Sequence, residues 1–269
     1  MNEREKMEKN EEVKQIQNEL LCLMKDFHNI CKKHRIRYSL HAGTLLGAIR
    51  EGGFIPWDDD ADVSFLRTEY EKFKNVIKTQ YEKDQLPFVC DFSFGARLIR
   101  QRAGKPIVWL DLYIYDFISE NRLIQKLKIA ELAFLMAWLR STEEMYVTKA
   151  HGVYQGWKYE LIHFIHILGL PFSDYTKLQI ANQISQLHKG KKKLIHRAND
   201  QFVAIKIILP AKVMYSYQLI QFEDTKLMIA KDYDLILTSS YGSDYMVPRQ
   251  AYEDAKAHDI YRKIQEKKR

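Results

Sequence analysis

The chain is poor in cysteine. Cys22, Cys31 and Cys90 are an odd, scattered set of three, which offers neither a disulfide framework nor the CxxC spacing of a zinc site. It fits a reducing compartment. Cys22 and Cys31 fall in a helical pattern and are expected as small core residues. Proline and glycine are sparse too, at 6 and 11 of 269 residues, which excludes collagen-like and disordered classes. Long apolar runs are missing. The longest uncharged one, "LIHFIHILGLPF" (161–172), falls short of the about 20 residues that cross a bilayer. The opening "MNEREKMEKNEE" is charged and lacks an apolar stretch, so no signal peptide is expected.

What is present suits a sizeable core. The chain is 46% hydrophobic and 12% aromatic, enough for one large domain or a core with an insertion. The formal net charge is +7, which favours an anionic partner: nucleotide, nucleic acid or an acidic membrane face. Much of the excess lies in "HKGKKKLIHR" (188–197) and the final "EKKR".

Apolar residues recur at three- and four-residue steps from Val13 to Cys31, which predicts an amphipathic helix. "RYSLHAG" reads as a short strand, "TLLGAIR" as a short helix, and "ADVSF" as the next strand. "EYEKFKNVIKTQY" is helical. "PFVCDF", "ARLIR" and "KPIVWLDLYIYDF" are strands by their aromatic and β-branched content. Residues 121–193 read as helical and basic. "QFVAIKIIL" and "YSYQLIQFEDTKLMIA" return to strand, "KDYDLILTSSYG" is a helix closed by Gly242, and a charged helix ends the chain. The expected fold is α+β: a mixed sheet flanked by helices, with a helical insertion. The expected parts are a core at 1–118, the insertion at 119–200 and a closing α+β element at 201–269.

"FIPWDDDADVSF" (54–65) puts four aspartates among apolar neighbours. Side chains two apart in a strand share a face. A strand beginning near Trp57 would therefore turn Asp58, Asp60 and Asp62 to one side and Asp59 to the other. Like charges that close raise one another's pKa unless a cation intervenes. Magnesium is the expected cation, with manganese as a substitute, since hard oxygen donors suit both. An ordinary acidic turn is the alternative, but the buried-type residues Phe54, Ile55, Trp57, Val63 and Phe65 argue against it.

Asp111 interrupts the apolar run "VWLDLYIYDF". A carboxylate there is costly unless paired or metal-bound. It is a candidate third ligand or general base, with an ion pair to Arg97 or Arg100 as the alternative. Asp116 falls on the opposite face. In "HAGTLLGAIR", Gly43 and Thr44 sit at a strand-to-helix junction, where free N–H groups favour phosphate. Arg50 and Arg97 are further candidate substrate contacts, through guanidinium–phosphate pairing. Walker A and GxGxxG spacings are both lacking.

Residues 38–63, "YSLHAGTLLGAIREGGFIPWDDDADV", resemble the signature of the LicD family of phosphotransferases, which includes the fukutin-related proteins. "FHNICKKHRI" resembles its lead-in helix, "DLYIYDF" its later aspartate strand, and "FEDTKLMIAKDYDLILTSSYGSDYMVPRQ" its C-terminal element. The resemblance implies a nucleotidyltransferase fold and transfer of a phospho-alcohol from a CDP-alcohol to a glycan hydroxyl, with CMP leaving. The alcohol would be phosphocholine, glycerol phosphate or ribitol phosphate, and the glycan a capsule, teichoic acid or lipopolysaccharide precursor. Carried over residue by residue, it implies phosphate contacts at Gly43 and Thr44, and magnesium ligands at Asp60 and Asp62 assisted by Asp58. Asp111 is the implied third carboxylate, taking the acceptor proton.

The helical middle, with Trp138 and Trp157 near its edges and "HKGKKK" after it, reads either as a helical core with a solvated lysine loop or as a surface for an anionic membrane. A lipid-linked acceptor at the cytoplasmic face would suit the second. His163 and His166, three apart, are a candidate metal pair or hydrogen-bonded core residues, and His258 is a weak site candidate. A nucleotide transfer releasing pyrophosphate is the rival activity. Nucleic-acid binding ranks below both, because the charge gathers at a loop and a terminus rather than along an aromatic surface.

Overall fold

The computed structural model describes residues 3–82, 85–142, 145, 156–200 and 202–248, with side chains from residue 11 onward. Two compact units emerge. Unit 1 spans 1–121 and 188–246, and unit 2 spans 122–187 and 247–269. The 122–187 segment of unit 2 lies within the expected insertion at 119–200, and "HKGKKKLIHR" falls in unit 1.

Unit 1 opens with α1 (Glu3–Lys33), then β1 (Ser39–Leu40), α2 (Ala42–Arg50), β2 (Ala61–Leu66), α3 (Arg67–Gln80), β3 (Val89–Asp91), β4 (Arg97–Arg102) and β5 (Lys105–Ile118). It resumes with β6 (Leu194–Arg197), β7 (Ile208–Pro210), the hairpin β8 (Tyr217–Phe222) and β9 (Thr225–Ala230), and a last helix (Tyr233–Tyr241). The main sheet is mixed. Its path runs β1-β2-β5-β4-β3, with β6 bridging β5 to β7. β2 and β5 are parallel; the other pairs are antiparallel. The long β5 is the spine, pairing with β2 and β4 along its length and with β6 at its end. Ala103 (φ 51) and Gly104 (φ 75) make the turn from β4 to β5, the two-residue left-handed geometry that matches strand twist.

β2 is buried along its whole length, as a strand covered on both faces must be. One face holds Ala61, Val63 and Phe65. There Phe65 stacks on Phe73 of α3 at 5.7 Å, and Phe27 of α1 meets Phe65, Phe73 and Tyr38 edge-on. The fully buried aromatics of this face anchor the core, and such pairs add to their area burial. The other face carries Asp62 and Ser64. The β8–β9 hairpin forms its own two-stranded sheet and is tied to the core where Ala230 N–H donates to Ser39 Oγ at 3.0 Å and Met228 N–H to the Tyr38 hydroxyl at 3.3 Å.

Four local expectations change. β2 begins at Ala61 rather than near Trp57, so Asp58, Asp59 and Asp60 precede the strand. Trp57 is 46% exposed, because it lies in that loop and not in the pleat. "QFVAIKIIL" yields a 3-10 turn at Ala204–Lys206 and only a three-residue strand. Cys22 is exposed while Cys31 is buried: nine positions apart, the two fall on different sides of α1. The last helix ends as expected at Gly242, φ 92.

Unit 2 holds α4 (Arg122–Trp138), α5 (Trp157–Gly169) and α6 (Asp174–Ser185), with α4 packed against both others. Ser173 caps α6 by accepting from Thr176 N–H at 3.2 Å, as N-cap serines do. His166 is buried, with Nδ1 2.9 Å from the Arg140 carbonyl. His163 stacks on His166 at 6.3 Å and on Tyr159 at 5.7 Å. The pair therefore packs in the helical core. His258 and the expected terminal helix lie outside the described residues.

Candidate active site

Sheet register assembles the site. Asp62 on β2 and Asp111 on β5 are partners in the parallel pair, so both carboxylates leave the same face side by side. The row continues through Arg97 on β4 and Asp91 on β3. Arg97 meets Asp111 at 3.1 Å and lies over the Trp109 ring at 5.5 Å. The ion pair weighed as an alternative for Asp111 is therefore formed, with Arg97. Arg100, one pleat away, instead meets Glu19 and Asp26, each at 3.1 Å.

Asp62 is buried at 7% exposure. Burial drives its pKa well up, and the charges of Asp60, Asp111, Asp58 and Asp200 add to the rise in that order. Asp111 is pushed up to about 6, by burial first; Arg97 opposes this and Asp60 adds to it. Asp58 and Asp60 thus reach the strand pair electrostatically although they stand in the preceding loop.

That loop is held from several sides. Gln17 of α1 is buried and its amide donates to the Ile55 and Asp58 carbonyls at 3.0 and 2.9 Å. Glu223, in the β8–β9 turn, accepts from Phe54 N–H at 3.0 Å. Gly47 of α2 packs on the loop so closely that a Cβ would stand 2.5 Å from the Gly53 carbonyl.

At the strand-to-helix junction Ala42 is held left-handed (φ 43). Such backbone costs a non-glycine residue about 1 kcal/mol or more and gathers at functional sites. Gly43 leaves room for a carboxylate: a Cβ there would lie 2.8 Å from Asp58 Oδ2. Asp58 therefore rests against the first turn of α2, where the helix dipole favours negative charge. The Thr44 hydroxyl is buried and accepts from Asp62 N–H at 2.9 Å, so it fixes the strand that carries Asp62. Arg50 forms a 2.6 Å pair with Glu51, and this local partner takes up its guanidinium.

Six further residues surround the cluster. His41 is buried, with Arg197 donating to its Nε2 at 2.9 Å and its Nδ1 without a partner. Burial, then the Arg197 charge, holds its pKa far down, so the ring is neutral. Arg197 pairs with Asp200 at 3.1 Å, and both are buried. Asn199 stitches this segment to β5, accepting from Ile114 N–H at 2.7 Å and donating to the Leu112 carbonyl at 2.9 Å. The phenols of Tyr113 and Tyr241 are raised by burial and by the aspartate charges, Asp62 first among them. A signal for Arg197 and Asp200 was present in "LIHRAND": two opposite charges three apart, directly after a strand-like pair. The lysine run before it drew the reading toward a solvated loop.

On the far face of β5, Asp116 is buried and receives both Arg67 Nε at 2.9 Å and a terminal nitrogen at 2.6 Å. The two form a structural ion pair.

The donor set is all carboxylate oxygen, which suits magnesium or manganese. Among the described residues, no group of three or more His, Cys, Asp or Glu side chains is placed to hold a metal ion by itself. Magnesium does not require one, since one or two carboxylates and the substrate's phosphates complete its shell. Asp62 and Asp111, neighbouring carboxylates whose pKa values are both pushed up, are groups that a divalent cation would relieve.

The chain is similar to known proteins. Residues 35–134 match the family model described as "LicD/FKTN/FKRP, nucleotidyltransferase domain". The chain is 27% identical to the lipopolysaccharide cholinephosphotransferase LicD of Haemophilus influenzae over 270 residues, covering 91% of this chain and 95% of that one. It is 29% identical over 168 residues to an uncharacterized protein of Rickettsia prowazekii, covering 56% of this chain and 59% of the relative. An uncharacterized protein of Rickettsia typhi is 42% identical over 109 residues, 38% of this chain and 35% of its own.

Proposed function

From the chain's membership of the LicD family, carried by the nucleotidyltransferase domain at 35–134, we propose that it is a phosphotransferase moving a phospho-alcohol from a CDP-alcohol to a hydroxyl of a cell-surface glycan. The observation that supports this most is the pairing of Asp62 with Asp111 on adjacent parallel strands, with Asp58 and Asp60 close enough to raise the pKa of Asp62. The cholinephosphotransferase named for the Haemophilus relative makes phosphocholine the first alcohol to try.

Asp60 and Asp62 would hold magnesium with help from Asp58. When bound, the ion would neutralise charge on the donor's phosphates and on the departing CMP. The first turn of α2, at Gly43 and Thr44, supplies N–H groups and a dipole for phosphate, and Arg97 stands beside Asp111 as a further phosphate contact. Asp111, at about 6, is tuned to take a proton near neutrality. In this reading the acceptor hydroxyl gives its proton to Asp111 as its oxygen bonds to phosphorus, and the phosphorus–oxygen bond to CMP breaks. Tyr113, Tyr241 and the neutral His41 wall the site and hold water out.

The same reading expects a lipid-linked acceptor, a cytoplasmic location and peripheral contact with an anionic membrane. Incubation with a panel of CDP-alcohols and magnesium tests it. CMP should appear with the labelled alcohol on the glycan product; release of pyrophosphate from a nucleoside triphosphate instead would overturn it in favour of nucleotide transfer.

A further inference from the structure

α5 is mostly apolar, its only charged residues being Lys158 and Glu160 in the first turn, yet only part of it is covered. Tyr159, His166 and Gly169 are buried, and Gly169 lies so near α4 that a Cβ would stand 2.6 Å from the Trp138 carbonyl. The opposite side carries Trp157 (72% exposed), Leu161 (50%), Phe164 (58%), Ile167 (46%) and Leu168 (45%). Trp157, Leu161, Phe164 and Leu168 follow one another at four, three and four residues, a single continuous stripe. Leu170 and Phe172 extend it at 56% and 47% exposure. From Leu161 to Phe172 this side offers no charged group. A contiguous exposed apolar surface of this kind marks an interaction site.

Its chemistry points to lipid. A protein partner is held by roughly one hydrogen bond per 100–200 Å² of interface, and the stripe between Leu161 and Phe172 has no side chain to make one. A bilayer asks for none. Amphipathic aromatics stand at the margins, Trp157 before the stripe and Tyr175 (73% exposed) after it, as at membrane–water boundaries. The charge balance agrees. The described residues of unit 2 carry six Lys or Arg (Arg122, Lys126, Lys128, Arg140, Lys158, Lys177) against three acids (Glu131, Glu160, Asp174). Anionic headgroups attract the exposed ones, Arg122, Lys126 and Lys158, each by about 1 kcal/mol. Among the described residues no helix is long and apolar enough to cross a membrane; α5, with 13 residues, is about 20 Å long, against a hydrocarbon core of about 30 Å.

We infer that the outward face of α5 is a membrane-docking surface that lies in the interface of an anionic bilayer, with Leu161, Phe164 and Leu168 sunk among the acyl chains and the exposed basic residues of unit 2 at the headgroups. This deepens the proposed function, whose acceptor would be carried on lipid, and it rests on that reading for its purpose but not for its test.

The test is co-sedimentation of the full chain with phosphatidylglycerol-containing vesicles and with purely zwitterionic ones, at low and high salt and without nucleotide. Binding to anionic vesicles is expected, weakened but not abolished by high salt, and weaker to zwitterionic ones. Phe164→Glu with Leu168→Glu, both surface changes away from the aspartate site, should reduce the vesicle-bound fraction at least tenfold. The double variant's thermal melt should match the parent's, and so should its CMP release from soluble CDP-alcohol. No vesicle binding at either salt overturns the inference, as does binding that the double variant retains. So does self-association that the double variant abolishes while vesicles bind neither protein, which would assign the face to a second copy. Loss of the proposed chemistry alone would show as absent CMP release with vesicle binding intact.

Discussion

Glu223 accepts a hydrogen bond from the backbone N–H of Phe54 at 3.0 Å, although 169 residues separate them in the chain. The Glu223 N–H in turn donates to the Gly52 carbonyl at 2.8 Å, and Glu223 itself is held at a left-handed φ of 51. With Gln17 donating to the Ile55 and Asp58 carbonyls, the loop that delivers the aspartates is gripped from both its sides. Glu223→Ala should cost about 1–3 kcal/mol, the price of an unsatisfied N–H, and lower turnover by letting Asp58 and Asp60 wander. Glu223→Gln keeps an acceptor oxygen and should recover most of both. Urea midpoints beside CMP-release rates check this; an Ala variant with normal values in both would deny the clamp a role.

Asp62→Asn should abolish transfer yet leave the fold intact, and Asp60→Asn likewise. It should also make the metal-free chain more stable at pH 8, because a buried carboxylate whose pKa is driven up resists ionisation. The sign follows from linkage. A raised folded-state pKa means stability present in full below the unfolded value near 4 and lost as pH rises through the folded one, which for Asp111 is about 6. The melting temperature of Asp62→Asn minus that of the parent, in chelator, should therefore grow from pH 5 to pH 8. A gap that shrinks would contradict the buried-charge account.

Magnesium should reverse that ranking. A cation bound by the native state alone stabilises it by mass action. Millimolar magnesium at pH 8 should raise the parent's melting temperature by several degrees and that of Asp62→Asn by far less. Equal shifts in the two proteins would place the ion elsewhere.

Thr44→Val removes the acceptor for the buried Asp62 N–H, and a loss of about 1–3 kcal/mol is expected. Thr44→Ser keeps the hydroxyl and should behave much like the parent. Circular dichroism melts check this; a Val variant as stable as the parent would deny the hydroxyl that role.

Arg67→Ala should be the most damaging change outside the site. It strands the buried Asp116 carboxylate, a situation that costs about 3–5 kcal/mol. Replacing both members, Arg67→Met with Asp116→Leu, should recover much of the loss in a thermal melt.

Much of this was legible in the sequence because its periods were clean. The three-and-four spacing gave α1, the charged amphipathic run gave α3, and an apolar strand interrupted by Asp111 announced a carboxylate with a purpose. The start of β2 was misplaced because Phe54, Ile55 and Trp57 look like a strand by composition. In the structure Phe54 and Ile55 are buried by α2 and the β8–β9 hairpin while Trp57 turns outward, a division that only tertiary contacts make. The partners of the aspartates were harder still. Which residue of β5 faces Asp62 is a matter of register between strands far apart in sequence. Arg197 and Asp200 arrive from beyond unit 2, where no local pattern ties them to residues 58–62.

β6 lies after the 122–187 segment in the chain, and so do the residues that stitch Asp200 to β5. During synthesis the far end of β5 must therefore wait, its hydrogen-bonding edge bare, while that segment is made. An open edge of that kind invites pairing with other chains. A ribosome adding about 5–20 residues per second leaves it so for several seconds. A nascent chain stalled or cut before residue 188 would carry most of the acidic cluster on a sheet still lacking one side, and such fragments should be recovered in aggregates rather than in solution.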